Sequence, residues 1–185
     1  MGNCYDKDEL TKMGIKCGND CHVSKKSSFY SPETIELGDN VRIDDFCILS
    51  GNIKIGNNVH ISAYTALYGR YGIEIGNYCG CSPRCTIFSG SDDFSGKYMI
   101  SPMVPEEYTN VDGRKVVMKN YTQLGANSIV MPGVTLEEGA VCGAFSFVNH
   151  NLEEWTINIG IPVKTVHNRD KNVKNLVKEY ENAKK

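Results

Sequence analysis

The chain has 185 residues, 41% of them hydrophobic, and a formal net charge of −2 at pH 7. This size and composition predict one folded domain with short appendages. The near-neutral charge argues against nucleic acid or an anionic membrane surface as a partner. No apolar run reaches the length of a membrane span, and the first ten residues lack the apolar core of a secretory signal. We therefore expect a cytoplasmic protein without membrane association.

Residues 1–14 predict a short N-terminal cap. The segment DKDELTKMG, residues 6–14, is rich in helix formers and ends in Gly14. A helix here would cover the open end of the repeat that follows, because the first unit of a repeat has no neighbour on one side.

Residues 15–169 are predicted to form one repeat domain. Within it, a large apolar residue recurs every six positions over several blocks. The series runs through four blocks: 17 to 35, 37 to 73, 75 to 87 and 118 to 148. The fifth position of most units holds a small or β-branched residue, such as Thr122 or Ser128. A six-residue period suits one short strand plus a turn, and three such units make a triangular coil. The pattern predicts an all-β solenoid of about five or six parallel coils.

Seven of the eight cysteines take inward positions of this repeat, namely Cys17, Cys21, Cys47, Cys79, Cys81, Cys85 and Cys142. A free cysteine inside a core behaves as a small hydrophobic residue. We therefore expect neither disulfides nor a metal site from these residues.

The repeat stops at Ser89 and resumes at about Val116. The interruption, residues 89–116, contains glycines, prolines, tyrosines and the adjacent pair Asp92 and Asp93. Long irregular insertions in regular folds are usually functional, so we expect this loop to project and cover a cleft.

Residues 170–185 predict a C-terminal helix. Val173, Leu176, Val177 and Tyr180 lie at i, i+3, i+4 and i+7, which gives an apolar face able to pack across the final coil. The preceding segment Ile159 to Pro162 is expected to be the last strand leaving the prism.

Two stretches carry a family resemblance. LGANSIVMPGVTLEEGAVCGAFSFV, residues 124–148, and the later IGIPVKTV resemble the hexapeptide-repeat acyltransferases. VRIDDFCILSGNIKIGNNVHISAYTALYG, residues 41–69, with SDDFSGKYMISPMVP after it, is most similar to nucleotide-sugar N-acetyltransferases that act on dTDP-4-amino-4,6-dideoxyglucose. Galactoside and maltose O-acetyltransferases are the next most similar group. The resemblance implies a left-handed parallel β-helix, a homotrimer, acetyl-CoA bound between subunits, and a role in surface-polysaccharide synthesis.

The resemblance also implies a cofactor track. The pantetheine arm of CoA would run past the small residues Ala126 and Ala144, and the CoA phosphates would meet Lys164 and His167. His150 stands at a position commonly held by lysine. The sugar nucleotide would be held by Ser62, Tyr68, Arg70 and Ser91. Ser62 and Arg70 replace the asparagine and aspartate that hold sugar hydroxyls in galactoside enzymes, which disfavours a galactoside substrate.

The catalytic residue differs from that of the O-acetyltransferases, which carry a histidine base where the long loop begins. An ungapped comparison puts Asp92 there, and the loop has no histidine. A sugar hydroxyl needs a base near neutrality to attack a thioester, whereas an amine already offers a lone pair. The sequence therefore favours N-acetylation, with Asp92 and Asp93 positioning the amine or relaying its proton. The outward His60 of the middle coils is the other candidate.

Two alternatives stay open, and a third is disfavoured. One is sugar O-acetylation of the galactoside or maltose type, and another is a non-catalytic β-helix trimer, because an inactive relative would also lack the base. A zinc hydratase on this fold would need three converging histidines. The four histidines, His22, His60, His150 and His167, are too dispersed in the repeat for that, so we expect no metal.

Overall fold

The structure is a computed structural model that describes residues 3–184; residues 1, 2 and 185, which the expected end segments include, lie outside it. The chain winds into a three-sided prism of stacked coils. Three rows of parallel strands form its faces, and each strand pairs with its counterparts in the coils before and after it. Two strands, β7 (Ile48–Ile55) and β9 (Ala66–Ile75), bend around a corner and contribute to two faces each.

The first face is formed by β2 (Lys16–Cys17), β5 (Ile35–Leu37), the second halves of β7 and β9, β14 (Val116–Met118) and β17 (Thr135–Leu136). The second face is formed by β3 (His22–Ser24), β6 (Arg42–Ile43), β8 (His60–Ile61), β10 (Gly80–Cys81), β15 (Gln123–Leu124), β18 (Val141–Cys142) and β20 (Thr156–Ile159). The third face is formed by β4 (Ser28–Tyr30), the first halves of β7 and β9, β11 (Thr86–Phe88), β16 (Ile129–Val130) and β19 (Phe147–Val148).

These strands make six complete coils and part of a seventh, slightly more than the five or six expected. The interior holds the residues that the six-residue period places there: Leu49, Ile61, Leu67, Ile87, Leu124, Val130, Leu136 and Val148 are fully buried. The solenoid of parallel coils is therefore confirmed. Between blocks, the six-residue repeat shifts by two residues, after Ile35 and after Ile73. Ile35 and Leu37 lie in one strand and are both buried, and the same is true of Ile73 and Ile75.

Five of the inward cysteines are fully buried, namely Cys47, Cys79, Cys81, Cys85 and Cys142, and all eight are free. Burial raises the pKa of the Cys47 thiol to about 11, because the interior disfavours the thiolate. The same effect holds the pKa of Cys81 well above its ordinary value. These thiols therefore act as core packing groups.

A ladder of side-chain oxygens runs along the corner between the first and second faces. The backbone N–H of Asn57 donates to Asn77 Oδ1 at 2.7 Å, and that of Asn77 donates to Asn120 Oδ1 at 2.8 Å. Asp39 extends the ladder to the preceding coils. A glycine precedes each residue whose N–H donates to the ladder; a Cβ at Gly56 would lie 2.5 Å from Asn77 Oδ1. The corners thus approach closely only because glycine stands there.

The two helices lie outside the strands. Helix α1 (Lys7–Lys12) follows β1 (Cys4–Tyr5), starts with an Asp6 and Glu9 capping box, and buries Leu10 against the first coil. Helix α2 (Val173–Ala183) runs along the edge between the first and second faces, where Glu181 bonds to Tyr78 and Lys174 lies 2.8 Å from Glu138. It does not lie across the final coil as expected. Neither helix is long and apolar enough within residues 3–184 to cross a membrane.

The chain also does not leave the prism after residue 159. Strand β20 ends at Ile159, and the chain turns back through Gly160 and the cis Ile161-Pro162 bond. It then forms β21 (Lys164–Asn168), which pairs antiparallel with β20 at the edge of the second face. The expected exit segment is therefore a tight reversal.

Replacing Asn77 by alanine removes the acceptor for the Asn57 N–H. We expect the free energy of unfolding to fall by about 0.5–1.5 kcal/mol, the net value of one such hydrogen bond. Urea denaturation monitored by circular dichroism measures this change. Asn52→Ala, on an exposed corner outside the ladder, is the control and should change stability by less than about 0.5 kcal/mol. Equal effects of the two substitutions would mean that the ladder contributes no stability of its own.

Candidate active site

The long insertion forms a hairpin that projects from the corner between the third and first faces. Its base is a pair of antiparallel strands, β12 (Gly90–Asp92) and β13 (Val111–Gly113). Its tip is exposed; the side chains of Phe94 and Met103 are 85% and 89% accessible. A cavity of about 860 Å³, here called the loop cleft, lies between the hairpin and the third face.

Tyr71, at the end of the corner, anchors the base of the hairpin. Gly90 and Gly113 face each other across the two hairpin strands. A Cβ at Gly90 would lie 2.8 Å from Tyr71 Cε2, and one at Gly113 would lie closer still to the same ring. The Tyr71 N–H also donates to Ser89 Oγ at 2.9 Å. The ring therefore packs flat on two glycines, which fixes the direction in which the loop leaves the prism.

Aromatic and charged side chains line the loop cleft. The rings of Tyr68 and Phe88 stack in adjacent coils, with centroids 5.3 Å apart and an interplanar angle of 11°. Arg70 lies over the Tyr71 ring and pairs with Glu106 of the loop at 3.4 Å. Tyr68 and Arg70, both expected near the sugar nucleotide, thus lie on the wall of the cleft.

The two adjacent aspartates have different surroundings. Asp93 accepts hydrogen bonds from the Ser95 N–H at 2.6 Å and from Asn110 Nδ2 at 3.0 Å, so it closes the hairpin turn. These bonds, from Ser95 first and Asn110 second, lower the pKa of Asp93 because they favour the carboxylate. Asp92 and Ser91 line the loop cleft, and the Asp92 side chain is exposed. Of the two aspartates, Asp92 is therefore the one that can meet a ligand in the loop cleft.

His60 belongs to a separate cluster on the second face. Its Nε2 lies 2.7 Å from Asp44 Oδ2, while Arg42 Nε donates to Asp44 Oδ1 at 2.7 Å. Partial burial alone would raise the pKa of Asp44, but the hydrogen bonds from His60 and Arg42 outweigh it and lower that pKa. An ionised Asp44 holds the imidazole by Nε2, and 48% of the His60 side chain stays exposed. The sequence alone does not pair Asp44 with His60, because the two residues become neighbours only through the length of one coil.

Within one chain the structure does not bring His60 and Asp92 together. His60 lies on the second face, and Asp92 lies in the hairpin at the opposite corner. Ser62, expected near the sugar, is only 9% exposed and follows β8 at the corner between the second and third faces.

The residues expected along the CoA track fall into three places. Ala126 and Ala144 stack in consecutive coils at the corner between the second and third faces, where the Phe145 N–H donates to the Ala126 carbonyl at 2.8 Å. Lys164 and His167 are exposed on β21, at the edge of the second face. His150 follows β19 at the far side of the third face and contacts Asn149. The first two groups share one side of the prism, and His150 does not.

In the part of the chain described here, residues 3–184, no three His, Cys, Asp or Glu side chains cluster closely enough to hold a metal ion. Among residues 3–184, two imidazoles have a hydrogen-bonded side-chain partner, Asp44 for His60 and Asn149 for His150.

Stacked hexapeptide coils, here interrupted by one hairpin beside a polar cleft, are typical of the hexapeptide-repeat transferases. The family model for bacterial transferase hexapeptide (six repeats) matches residues 34–69. A dTDP-4-amino-4,6-dideoxy-D-glucose acyltransferase from Escherichia coli is 41% identical over 175 residues, 92% of this chain and 91% of that protein. The chain therefore belongs to the bacterial hexapeptide-repeat acyltransferases, in the family of that Escherichia coli enzyme.

Solved structures agree with this assignment. A serine-to-cysteine variant of AntD, an N-acyltransferase from Bacillus cereus in complex with dTDP-4-amino-4,6-dideoxyglucose and coenzyme A, matches with a TM-score of 0.96 at 41% identity and covers 99% of both chains. AntD in complex with dTDP and 3-hydroxybutyryl-CoA matches with a TM-score of 0.95 at 42% identity, over 99% of this chain and 98% of that chain. The left-handed parallel β-helix implied by the sequence resemblance is thereby confirmed.

The anchoring of the loop can be tested by adding one methyl group. In Gly113→Ala the new Cβ would collide with the Tyr71 ring, so we expect the hairpin base to loosen. Trypsin should then cut at Lys97 at least about ten times faster than in the unchanged protein, because cleavage follows local opening. Glu107→Ala, in the same loop but away from Tyr71, is the control. Unchanged cleavage in Gly113→Ala would show that Tyr71 does not set the loop.

Proposed function

We propose that the chain transfers an acyl group from acyl-CoA to the amine of a nucleotide-linked amino sugar of the dTDP-4-amino-4,6-dideoxyglucose type. The observation that carries this proposal is Asp92, an exposed carboxylate on the loop cleft at the position where O-acetyltransferases keep a histidine. The full-length likeness to AntD, solved with that sugar nucleotide and coenzyme A, supports the same substrates. We place the reaction in surface-polysaccharide synthesis and in the cytoplasm, where eight free cysteines stay reduced.

Two residues are proposed to act on the amine, and one was not foreseen from the sequence. AntD has been solved with a serine substituted and, separately, with an aspartate substituted ten residues later. In this chain Ser82 and Asp92 are also ten residues apart. Ser82 is half-buried at the end of β10, at the corner that also carries Ala126. The matching spacing of the two substituted AntD residues is what points to Ser82, and the sequence of this chain alone carries no such signal.

The proposed chemistry needs no strong base. The neutral amine attacks the thioester carbonyl carbon, a C–N bond forms, and the C–S bond breaks as CoA thiolate leaves. Asp92 holds the incoming amine and accepts the proton of the resulting ammonium, which finally passes to the thiolate. A positioned carboxylate suffices because that ammonium proton is far more acidic than a sugar hydroxyl.

The proposed range of acyl donors is wider than the sequence resemblance implied. The resemblance implied acetyl-CoA, yet AntD has been solved with 3-hydroxybutyryl-CoA. We therefore propose a short-chain acyl-CoA, with acetyl-CoA as the simplest member. Its pantetheine arm would pass Ala126 and Ala144, and its phosphates would meet Lys164 and His167. His150, on the other side of the third face, could contribute only from a neighbouring subunit.

A second candidate function, O-acetylation, is favoured by the cluster on the second face. His60, oriented by Asp44 at 2.7 Å, supplies the imidazole base that a hydroxyl nucleophile requires. The non-catalytic alternative has no such observation in its favour. The same histidine could also assist transfer to an amine.

The homotrimer remains a proposal, and the outer faces of the prism support it. The first face carries paired charges such as Lys16 with Glu36 at 3.1 Å, which suit solvent. The third face presents apolar side chains in several coils; Tyr68 of the third coil and Ile129 of the fifth are 39% and 38% exposed. An assembly that covers this face could also bring the Asp92 loop of one subunit to the Ser82 corner of the next.

Substitution of the proposed amine-binding carboxylate tests the function. Asp92→Asn should lower kcat/KM with acetyl-CoA and dTDP-4-amino-4,6-dideoxyglucose by about 10²–10⁴, the range for losing acid–base help. Thiol release followed with a chromogenic disulfide measures the rate, and 3-hydroxybutyryl-CoA serves as the second donor. Asp112→Asn, in the same hairpin but engaged by Arg114 at 2.7 Å, is the matched control and should keep full activity.

The two candidate functions give opposite results in this assay. If Asp92→Asn keeps its activity while His60→Asn loses it with a sugar hydroxyl as acceptor, O-acetylation replaces N-acylation as the function. Absence of thiol release from either donor with both acceptors would contradict both.

The proposed trimer can be tested with one added charge. Ile129→Glu places a carboxylate on the apolar third face, where burial without a partner costs several kcal/mol. We expect light scattering to give a trimer for the unchanged protein and smaller species for this variant. Lys54→Gln, on the charged first face, should leave the trimer intact. A monomer at micromolar concentration for the unchanged protein would contradict the proposal.

A further inference from the structure

A column of stacked side chains runs along the corner between the second and third faces. The rings of Phe46 and Tyr64 stack with centroids 5.0 Å apart and an interplanar angle of 23°. The Arg84 guanidinium lies over the Tyr64 ring at 5.3 Å, and Lys26 lies over the Phe46 ring at 5.5 Å. We call these four residues the corner column.

The backbone of the corner column is in a conformation that bulky side chains rarely adopt. Phe46, Tyr64 and Arg84 have φ angles of 61°, 63° and 62°. The left-handed region costs a residue with a Cβ roughly 1–2 kcal/mol, and asparagine tolerates it best. In the next coil the same position is held by Asn127, with φ 60°. Phe145 holds it in the coil after that, with φ 56°. The turn therefore imposes this backbone conformation on the second to the sixth coils, and the residue type decides which side chain each turn presents at the corner.

Arg84 differs from every other arginine of the chain. The other four arginines have polar partners: Asp44 for Arg42, Glu106 for Arg70, Asp112 for Arg114, and the carbonyls of Tyr121 and Gly139 for Arg169. Among residues 3–184 no carboxylate or carbonyl accepts a hydrogen bond from the Arg84 guanidinium within the geometry of a real bond. Lys26, at the other end of the column, is neutralised by Asp45 at 2.8 Å. The free positive charge of the column is thus at Arg84.

This charge lies beside the residues proposed for acyl transfer. Arg84 is two residues after Ser82, and the Asn127 N–H donates to the Pro83 carbonyl at 3.0 Å, which stacks Ala126 and Asn127 directly on this turn. One face of the guanidinium is covered by Tyr64. The equivalent position of the next coil is held by Asn127, a smaller side chain than those of the column.

We infer that Arg84 is a binding site for a diphosphate group, which rests on the proposed function. A guanidinium offers a planar fork of N–H donors that matches two phosphate oxygens at once. Stacking on Tyr64 holds this fork in place before the ligand arrives, so less side-chain freedom is lost on binding. Both proposed substrates, the nucleotide sugar and the acyl-CoA, carry a diphosphate. Tyr64 acts as the positioning residue of the site.

Calorimetric titration of the full chain with dTDP and, separately, with coenzyme A tests the inference. Arg84→Gln should raise the Kd of at least one of the two ligands about 10- to 100-fold, as expected for a lost charge-assisted hydrogen bond. Arg84→Lys should recover part of the loss, because it restores the charge without the fork. Tyr64→Leu should weaken the same ligand by a smaller factor. Lys54→Gln removes one charge from the first face and should change neither Kd.

The two ligands distinguish the source of the diphosphate. A loss confined to dTDP assigns Arg84 to the nucleotide sugar, and a loss confined to coenzyme A assigns it to the acyl donor; either result supports the site. If the unchanged protein binds both ligands and Arg84→Gln binds them equally well, the inference is overturned while the proposed function stands. If the unchanged protein binds neither, the proposed function and this site both fail. Arg84 is exposed, so thermal unfolding of the variant should match the unchanged protein.

Discussion

The register between successive coils is the constraint on which the rest of this structure depends. Parallel backbone hydrogen bonds set the spacing of the coils, and the oxygens of Asp39, Asn57, Asn77 and Asn120 hold one corner of each coil to the backbone of the one before it. Because the first five coils repeat this corner and the backbone ladder continues beyond it, equivalent residues line up in columns along the prism. The small residues Ala126 and Ala144 form one such column, and Phe46, Tyr64 and Arg84 form another. Residues that can act together are therefore found in the same column. The position of a residue within its coil determines the column to which it belongs.

The interior could be predicted from sequence because it depends on one simple rule. Every sixth residue points inward, so Leu124, Val130 and Leu136 are buried regardless of how the corners are built. The outer contacts follow no such rule. Asp44 meets His60 because their strands are neighbours in consecutive coils, and that distance is known only when the coil length is known. The apolar pattern of residues 173–180 predicted helix α2 but not its position. In the structure the helix lies where it makes polar contacts to Tyr78 and Glu138.

The candidate site could be predicted only in part for a related reason. The loop and its aspartates were recognised because they interrupt the repeat. The hairpin turn gives Asp92 and Asp93 different surroundings. Ser95 and Asn110 donate hydrogen bonds to the Asp93 carboxylate, whereas Asp92 lines the cleft. The role of Tyr71 was not foreseen, since a tyrosine after an arginine carries no signal until two glycines are found packed on its ring. The residues proposed for the reaction also lie at different corners of the prism, so they do not meet within a single chain.

The hairpin has a consequence for how the solenoid comes apart. Contacts between most neighbouring coils join residues 18 or 20 positions apart, as for Asp39 with Asn57 and Asn57 with Asn77. Across the hairpin the equivalent contact joins Asn77 to Asn120, 43 positions apart. Closing a loop of twice the length costs about 0.6 kcal/mol more chain entropy. The boundary between the fourth and fifth coils therefore carries the largest loop-closure cost of the joints along this ladder, and the backbone hydrogen bonds between these two coils must offset it.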